Sequence, residues 1–353
     1  MRKVSLDETR AGSIIARTIF SLNGMVLLSA GSELTLERIR YLVHHGITEV
    51  YINDDISKDI TIPETVREEI LIQTKSQLKK LMTVPSIKTV DGEKALELVD
   101  RLMEEILKND QIIISLSDIR SIDDYTFSHS VNVAIFSMMT GITLEYKSDD
   151  LRNLGVGALL HDIGKMRISD DVLKKPSSLT IDEYNEVKKH TVFGYEILKN
   201  SRNINTTAQL VALYHHERID GSGYPYNLKG NEIPLPAKIV AVSDVFDALT
   251  TDRVYRHKMH PSKVVDYMYS LSNKHFDKTV LNAFFMHIAN YPVGTGVLLN
   301  TGEKGLVSKY NPVWPNRPVV RILMNEKGMM LRQYSEMDLS RNPEYYIVDI
   351  WDV

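Results

Sequence analysis

The sequence contains no cysteine, and that absence excludes disulfide bonds, thiol nucleophiles and cysteine-ligated zinc sites. It also lacks any apolar run approaching the roughly 18–20 residues that a membrane-spanning helix needs. The opening residues include Arg2, Lys3 and Asp7, and an acidic residue this early argues against a secretory signal. We therefore expect a soluble, cytoplasmic protein with no membrane span.

The chain also has little net charge, because 42 basic residues face 46 acidic ones and leave a formal charge of −4. Such a balance gives no long-range attraction for a nucleic-acid polymer or an anionic membrane. We expect no nucleic-acid polymer as a partner. Any anionic ligand must be held by a local cluster of positive charge.

At 353 residues, the chain is longer than a single hydrophobic core usually allows, so several domains are expected. Short apolar runs between turns predict a small α+β regulatory module at residues 1–60. Helical spacing of apolar residues predicts connecting helices at 61–110 and a helical catalytic domain at 111–290. Turn residues between short apolar strands predict a small β-rich module at 291–353. The predicted fold class is mainly α, with a small module at each end.

The connecting segment predicts two amphipathic helices, the second of which begins at Glu93 and ends near Lys108. Its apolar positions could form a dimerising seam, so a homodimer is one expectation. The alternative is that both helices pack on the domain behind them, because two or three heptads are few for a coiled coil.

Histidine is the informative residue type of the helical region. Five of the eleven histidines lie between Phe127 and Glu217, on four separate helices or helix ends: His129, His161, His190, His215 and His216. Imidazole nitrogens with carboxylates are the ligands of catalytic iron, manganese, cobalt or zinc sites. The alternative for each residue alone is a hydrogen-bonded core histidine, since metal binding needs converging partners.

The placement of these residues along the predicted helices limits how they could act together. Adjacent residues on a helix diverge by about 100°, so His161 and Asp162 could both reach a metal only at a helix end or in a multi-metal site. The same limit applies to His215 and His216. A capping box that begins at Thr180 predicts a helix running through His190 to Leu198.

Several motifs together resemble the HD-GYP domain. The sequence His-Asp-Ile-Gly-Lys at residues 161–165 is followed by His190 and then by His-His-Glu-Arg-Ile-Asp-Gly-Ser-Gly-Tyr-Pro at residues 215–225. The segments at residues 125–130 and 243–250 add an early histidine and a late aspartate. The resemblance covers about residues 117–288, and it implies an HD-type helical bundle that hydrolyses cyclic di-GMP in a metal-dependent reaction.

The resemblance also implies the ligands and their grouping. Asp162 would bridge two metal ions, iron or manganese in such domains, with three of the ligands around one ion and three around the other. The first set is His129, His161 and Asp244, and the second is His190, His215 and His216. Asp247, three residues after Asp244, is expected to be an internal hydrogen-bonding residue rather than a ligand.

Further residues are candidates for catalysis and substrate binding. Lys165 lies three residues after Asp162, on the same face of a helix, where its ammonium could stabilise developing negative charge; the alternative is a solvated cation at a helix end. Gly223, Tyr224 and Pro225 form a tight loop whose tyrosine could stack on guanine or bind phosphate, or merely pack on the rim of the bundle. Arg253 and Arg256 could bind phosphate or guanine, and a surface ion pair with Asp252 is an equally good interpretation of Arg256.

The function predicted from these features is a cyclic-di-GMP phosphodiesterase. A phosphodiester resists hydroxide, and two metal ions can neutralise its charge and lower the pKa of a water. One rival hypothesis is a non-enzymatic cyclic-dinucleotide sensor, and another is a different nucleotide phosphohydrolase of the HD superfamily. Some relatives carry a carboxylate four residues before the early histidine, where this chain has Tyr125, so we predict two metal ions rather than three.

Overall fold

A computed structural model describes residues 1–351, apart from residues 8, 10, 22–24, 58, 63–65, 85, 109–124, 174, 176, 252–258, 260 and 312. The described residues divide into two compact units. The terminal unit consists of residues 1–62 and 288–351, and the helical unit of residues 66–287.

The first part of the terminal unit is a small α+β arrangement. Its elements are β1 (Arg2–Ser5), β2 (Ile14–Ile15), β3 (Ile19–Phe20), β4 (Val26–Leu28), α1 (Leu36–His44) and β5 (Glu49–Asn53). Strands β1, β5 and β2 form an antiparallel sheet in that order, with Val4 opposite Val50. Apolar side chains from this sheet and from Leu42 of α1 form a common buried core.

The last part of the terminal unit is a five-stranded antiparallel sheet in the order β10-β6-β7-β8-β9. Its strands are β6 (Gly296–Leu299), β7 (Lys304–Lys309), β8 (Val319–Met324), β9 (Met330–Asp338) and β10 (Ile347–Ile350). Ile60 and Ile62 are buried in the same core as Val297 and Leu306. The first and last parts of the chain therefore share a hydrophobic core, and the division into four segments stays a prediction.

The helical unit contains the remaining α-helices and two short 3-10 helices, at Ile163–Arg167 and Gly230–Glu232. The α-helices are α2 (Glu68–Met82), α3 (Gly92–Lys108), α4 (Tyr125–Thr143), α5 (Ser148–Leu159), α6 (Asp170–Leu173), α7 (Ile181–Lys188), α8 (His190–Lys199), α9 (Thr206–Tyr214), α10 (Leu235–Thr250), α11 (Pro261–Ser270) and α12 (Lys278–Phe285). A mainly helical fold with small strand-rich parts at each end is confirmed. Among the described residues, no helix is both long enough and apolar enough to cross a membrane.

The contact between α4 and α10 forms the centre of the helical unit. The ring of Phe246 on α10 lies edge-on to Phe136 of α4, with centroids 5.5 Å apart, and 4.9 Å from the ring of Phe284 on α12. Ser137 and Ser243 hydrogen-bond across the same contact at 3.0 Å. This buried aromatic cluster fixes the two helices against each other and so fixes the polar residues one or two turns earlier on α4.

The predicted helix through His190 differs from the structure in one respect. The capping box is present, with Thr180 and Glu183 exchanging hydrogen bonds, but the helix is interrupted at Lys189. The ring of His190 explains part of the interruption, because its Nδ1 lies 2.6 Å from the carbonyl oxygen of Val187 and ties the side chain into this turn. His190 consequently occupies the first turn of a new helix.

Candidate metal centre

The seven predicted ligands converge on one place in the helical unit, although they come from five parts of the chain. His129 lies on α4 and Asp244 on α10. His190 begins α8, and the two adjacent pairs follow the last residues of α5 and α9. Those pairs, His161–Asp162 and His215–His216, thus lie just past helix ends, where neighbouring side chains can point to the same place.

The ligand atoms fall into two groups, and within each group they lie within 4.8 Å of one another. The first group is His129, His161 and Asp244, and the second is Asp162, His190, His215 and His216. All are buried except the half-buried His216. Apart from Asp162, which falls in the second group here, the two groups have the members that the family resemblance implies, and their binding of metal stays a prediction.

Asp162 belongs to the second group, but one of its carboxylate oxygens faces the histidines of the first group and the other faces those of the second. Its Oδ2 is 3.4 Å from His161 Nε2 and 3.9 Å from His129 Nε2. Its Oδ1 is 3.4 Å from His190 Nε2 and 3.8 Å from His215 Nε2. A single carboxylate in this position can contact two cations at once.

The Nδ1 atoms of three histidines, His161, His190 and His215, are fixed by backbone carbonyl oxygens that lie outside the cluster. Nδ1 of His161 lies 2.7 Å from the carbonyl oxygen of Ala158, and Nδ1 of His215 lies 3.1 Å from that of Val211. The Nδ1 of His190 is held by Val187, as described above. Because a carbonyl oxygen can only accept, each Nδ1 must carry the proton, which leaves Nε2 with a free lone pair facing the cluster.

His129 is oriented by a carboxylate instead of a carbonyl. Its Nδ1 lies 2.7 Å from Oδ2 of Asp247, whose Oδ1 accepts a hydrogen bond from Nδ2 of Asn132 at 2.7 Å. Asp247 is therefore an internal hydrogen-bonding residue, as expected. Its specific role of orienting His129 was not predicted, because the sequence does not show which helix faces α10.

Burial and charge set the protonation of the cluster. Burial lowers the pKa of His190 to about 4 and lowers those of His215 and His216 well below the ordinary histidine value, so these rings are neutral at neutral pH. Burial alone would raise the pKa of Asp162, but the ammonium of Lys165 and the ring of His161 hold it well below its usual range. Neutral imidazoles and ionised carboxylates are the forms that bind metal.

His129 has the opposite balance. Burial alone would lower its pKa, but the carboxylates of Asp244 and Asp247 raise it to about 9. Nε2 of His129 then carries a proton and lies 3.1 Å from Oδ1 of Asp244. This proton lies between the two side chains, in the place where a metal ion bound by both would lie.

Two atoms at the centre of the cluster show that the residues fit a cation. Nε2 of His161 and Oδ1 of Asp162 are fully buried and have no hydrogen-bond partner among the described residues. Buried polar atoms are rarely left unpaired, and a bound ion is one recognised reason. With a donor set of nitrogen and carboxylate oxygen and no sulfur, the cluster is capable of binding divalent metal ions.

Lys165 lies at the edge of the cluster, in the 3-10 helix that follows Asp162. Its Nζ donates to Oδ2 of Asp162 at 2.5 Å, and its side chain is 28% exposed. The 3-10 helix packs closely on α8, since a Cβ at Gly164 would lie 1.9 Å from the carbonyl oxygen of His190. The absence of a side chain at Gly164 thus lets the turn that contains Lys165 lie against the first turn of α8, which contains His190.

The loop of Gly223, Tyr224 and Pro225 lies beside His216. The rings of Tyr224 and His216 are 4.8 Å apart, and a Cβ at Gly223 would lie 2.4–2.5 Å from the backbone of residues 216–218. Glu217, to which sequence reasoning gave no role, is buried and accepts hydrogen bonds from the backbone N–H groups of Tyr226 and Leu228. This carboxylate holds the loop against the end of α9.

Two further predicted substrate-binding residues, Arg253 and Arg256, lie outside the described residues.

Fold and cluster together define a class of protein, namely a helical domain with a buried centre of histidine and aspartate ligands suited to metal. A family model described as an HD domain matches residues 102–280, and one described as a KOW domain associated with HD domain matches residues 296–353. The chain belongs to the HD domain family and, within it, to the HD-GYP group.

Curated relatives agree with this assignment. A cyclic di-GMP phosphodiesterase of Pseudomonas aeruginosa is 34% identical over 252 residues, which are 71% of this chain and 61% of the relative. The cyclic di-GMP phosphodiesterase response regulator RpfG of Xanthomonas campestris is 38% identical over 54% of this chain and 52% of its own length. The chain thus spans between half and two thirds of these two relatives.

A solved structure shows the same fold. It is Bd1817, titled an HDG"Y"P protein from Bdellovibrio bacteriovorus, with a TM-score of 0.51 and 19% sequence identity. The match covers 80% of this chain and 97% of Bd1817. At that identity the likeness concerns the fold alone.

Proposed function

We propose that this protein is a metal-dependent phosphodiesterase that hydrolyses cyclic di-GMP to the linear dinucleotide pGpG, to GMP, or to both. The observation that carries the proposal is the position of Asp162, with one oxygen facing His129 and His161 and the other facing His190 and His215. The names of the curated relatives support cyclic di-GMP as the substrate.

The proposed cofactor is a pair of divalent ions, iron or manganese. His129, His161 and Asp244 would hold one ion, and His190, His215 and His216 the other, with Asp162 shared between them. Bound there, such ions supply charge neutralisation for the phosphate and lower the pKa of a water. Nitrogen and carboxylate ligands without thiolate suit both metals.

The remaining roles belong to side chains of the chain itself. Lys165 is proposed as a catalytic residue, because its ammonium lies beside Asp162 and is partly exposed, where it could reach the phosphate or the leaving 3′-oxygen. Tyr224 is proposed to bind substrate beside His216, and burial raises the pKa of its hydroxyl, which keeps the group protonated. Gly223 and Pro225 shape that loop, and Arg253 and Arg256 remain proposed phosphate or guanine ligands.

The rival hypotheses make different demands on the cluster. A cyclic-dinucleotide sensor would have no need for an intact set of seven ligands, and here all seven residues are present in the cluster. A phosphohydrolase acting on mononucleotides would need no room beside the cluster for a second nucleotide. Homodimerisation and a cytoplasmic location stay predictions from the sequence.

The test is product analysis with protein purified without oxygen and loaded with iron or manganese. Cyclic di-GMP and 3′3′-cGAMP are offered separately, because curated relatives from Vibrio cholerae are named for the second compound. We expect pGpG or GMP from cyclic di-GMP, and no product from the Asp162→Ala variant. Tight binding of cyclic di-GMP without any cleavage would favour the sensor.

A further inference from the structure

A cavity of about 510 Å³ opens beside the proposed metal centre, between α7 and the loop that contains Gly223. Tyr184 and Lys188 line it from α7, and Tyr224 and Asn227 line it from the loop. A cavity of this size is in the range that holds a nucleotide-sized ligand. None of the ligand residues is among its lining residues, so the cavity is an addition to the cluster rather than the cluster itself.

Lys188 contributes a cation to this cavity. Its Nζ lies 4.6 Å from the ring centre of Tyr184 and 5.7 Å from that of Tyr224, so the ammonium is between two aromatic faces. Its hydrogen-bond partner among the described residues is the neutral side chain of Asn185, at 3.3 Å. The adjacent Lys189, by contrast, pairs with the carboxylate of Glu186. The charge of Lys188 is therefore not neutralised by a described carboxylate.

Tyr184 contributes an aromatic face. Tyr184 is 48% exposed, so its ring is accessible to a ligand in the cavity. Nucleobases stack on such rings with little dependence on base identity. The pair Lys188 and Tyr184 thus combines a site for phosphate with a site for a base.

Tyr224 joins the cavity to the metal centre. Its ring lies 4.8 Å from the ring of His216 and 5.7 Å from Nζ of Lys188. A ligand that fills both places would therefore extend from His216 past Tyr224 to Lys188. Cyclic di-GMP is a ligand of this kind, because it carries two phosphodiesters. While one of them is cut at the metal centre, the other must be held elsewhere.

We propose that the cavity binds the half of the cyclic dinucleotide that is not being cut, an inference that rests on the proposed function. Lys188 binds the second phosphate, and Tyr184 stacks on the base next to it. The first phosphate then lies at the metal centre. A small phosphodiester without a second phosphate or a purine base gains nothing from this cavity.

The test compares two substrates in three variants. Lys188→Ala and Tyr184→Ala remove the two binding groups. Lys199→Ala is the matched control, because Nζ of Lys199 also lies over a tyrosine ring, that of Tyr195 at 5.5 Å, but outside the cavity. The substrates are cyclic di-GMP and bis(p-nitrophenyl) phosphate, and the metal content and unfolding midpoint of each variant are measured beside kcat and KM.

We expect each cavity variant to raise KM for cyclic di-GMP about tenfold, with kcat for that substrate and both constants for bis(p-nitrophenyl) phosphate unchanged. The control should leave all constants unchanged. An unchanged KM for cyclic di-GMP, or equal losses on both substrates, would overturn the cavity's role while the proposed function stands. A wild type that cuts bis(p-nitrophenyl) phosphate but not cyclic di-GMP would overturn the proposed function and the cavity's role together.

Discussion

Oδ2 of Asp247 lies 2.7 Å from Nδ1 of His129, and both side chains are buried between α4 and α10. The carboxylate therefore keeps Nδ1 of His129 protonated and turns Nε2 toward the cluster. Mutation of the outer hydrogen-bond partner of a metal-binding histidine typically lowers metal affinity by about 10–100-fold. Asp247 is a positioning residue, since it acts through His129 and is not a member of either group of ligand atoms.

The Asp247→Ala variant should lose metal affinity by about 10–100-fold, because His129 is then free to turn and to change tautomer. The change in affinity is measured by isothermal titration calorimetry, in which Mn²⁺ is added to the metal-free protein. Asp247→Asn is the matched control. Its amide oxygen can still accept from His129 if the amide of Asn132 turns over, and Oδ1 of Asn132 has no hydrogen-bond partner among the described residues. Equal losses in the two variants would contradict an orienting role.

The Lys165→Ala variant should lower kcat for cyclic di-GMP by about 10²–10³-fold, with a smaller change in KM. The reason is that its charge is needed most when negative charge develops on the leaving oxygen. Because Lys165 also contacts Asp162, metal content must be measured in the same preparation. A variant with full metal content and an unchanged kcat would make Lys165 a solvated cation at a helix end.

The Gly164→Ala variant should destabilise the helical unit by at least about 1–3 kcal/mol, because the added methyl group meets the backbone of His190 rather than a movable side chain. Gly194→Ala is the control on the facing helix, where the nearest atom, Cβ of Ala212, would lie 3.4 Å away. Urea unfolding followed by circular dichroism measures both variants. Equal urea midpoints for the two variants would contradict this prediction, because they would mean that the turn after Asp162 can accommodate a methyl group at residue 164.

The local features of the fold were readable from the sequence. The capping box at Thr180, the helix from about Glu93 to Lys108 and the two turn-rich ends of the chain follow from spacing and turn residues. The placement of His161–Asp162 and His215–His216 at helix ends also followed, since neighbouring residues inside a helix point in different directions. The choice of ligands came from the family resemblance, because spacing alone does not say which helices meet.

Features that depend on distant contacts were not readable. The core that Ile60 shares with Val297 joins residues more than two hundred positions apart, and no local pattern reports such a pairing. The orienting contact of Asp247 with His129 crosses two helices in the same way. The sequence did not indicate a binding role for Lys188 and Tyr184 either. A lysine and a tyrosine one turn apart on a helix are ordinary surface residues, and only the fold shows that the loop containing Tyr224 lies beside them.

The most direct test of a two-ion phosphodiesterase built on Asp162 is one titration. Metal-free protein is given increasing equivalents of Fe²⁺ or Mn²⁺ without oxygen, and the rate of cyclic di-GMP hydrolysis is plotted against metal bound per chain. We expect activity to appear as the second ion binds and to be maximal at two ions per chain. Full activity at one ion, a requirement for a third, or no hydrolysis at any loading would contradict the account.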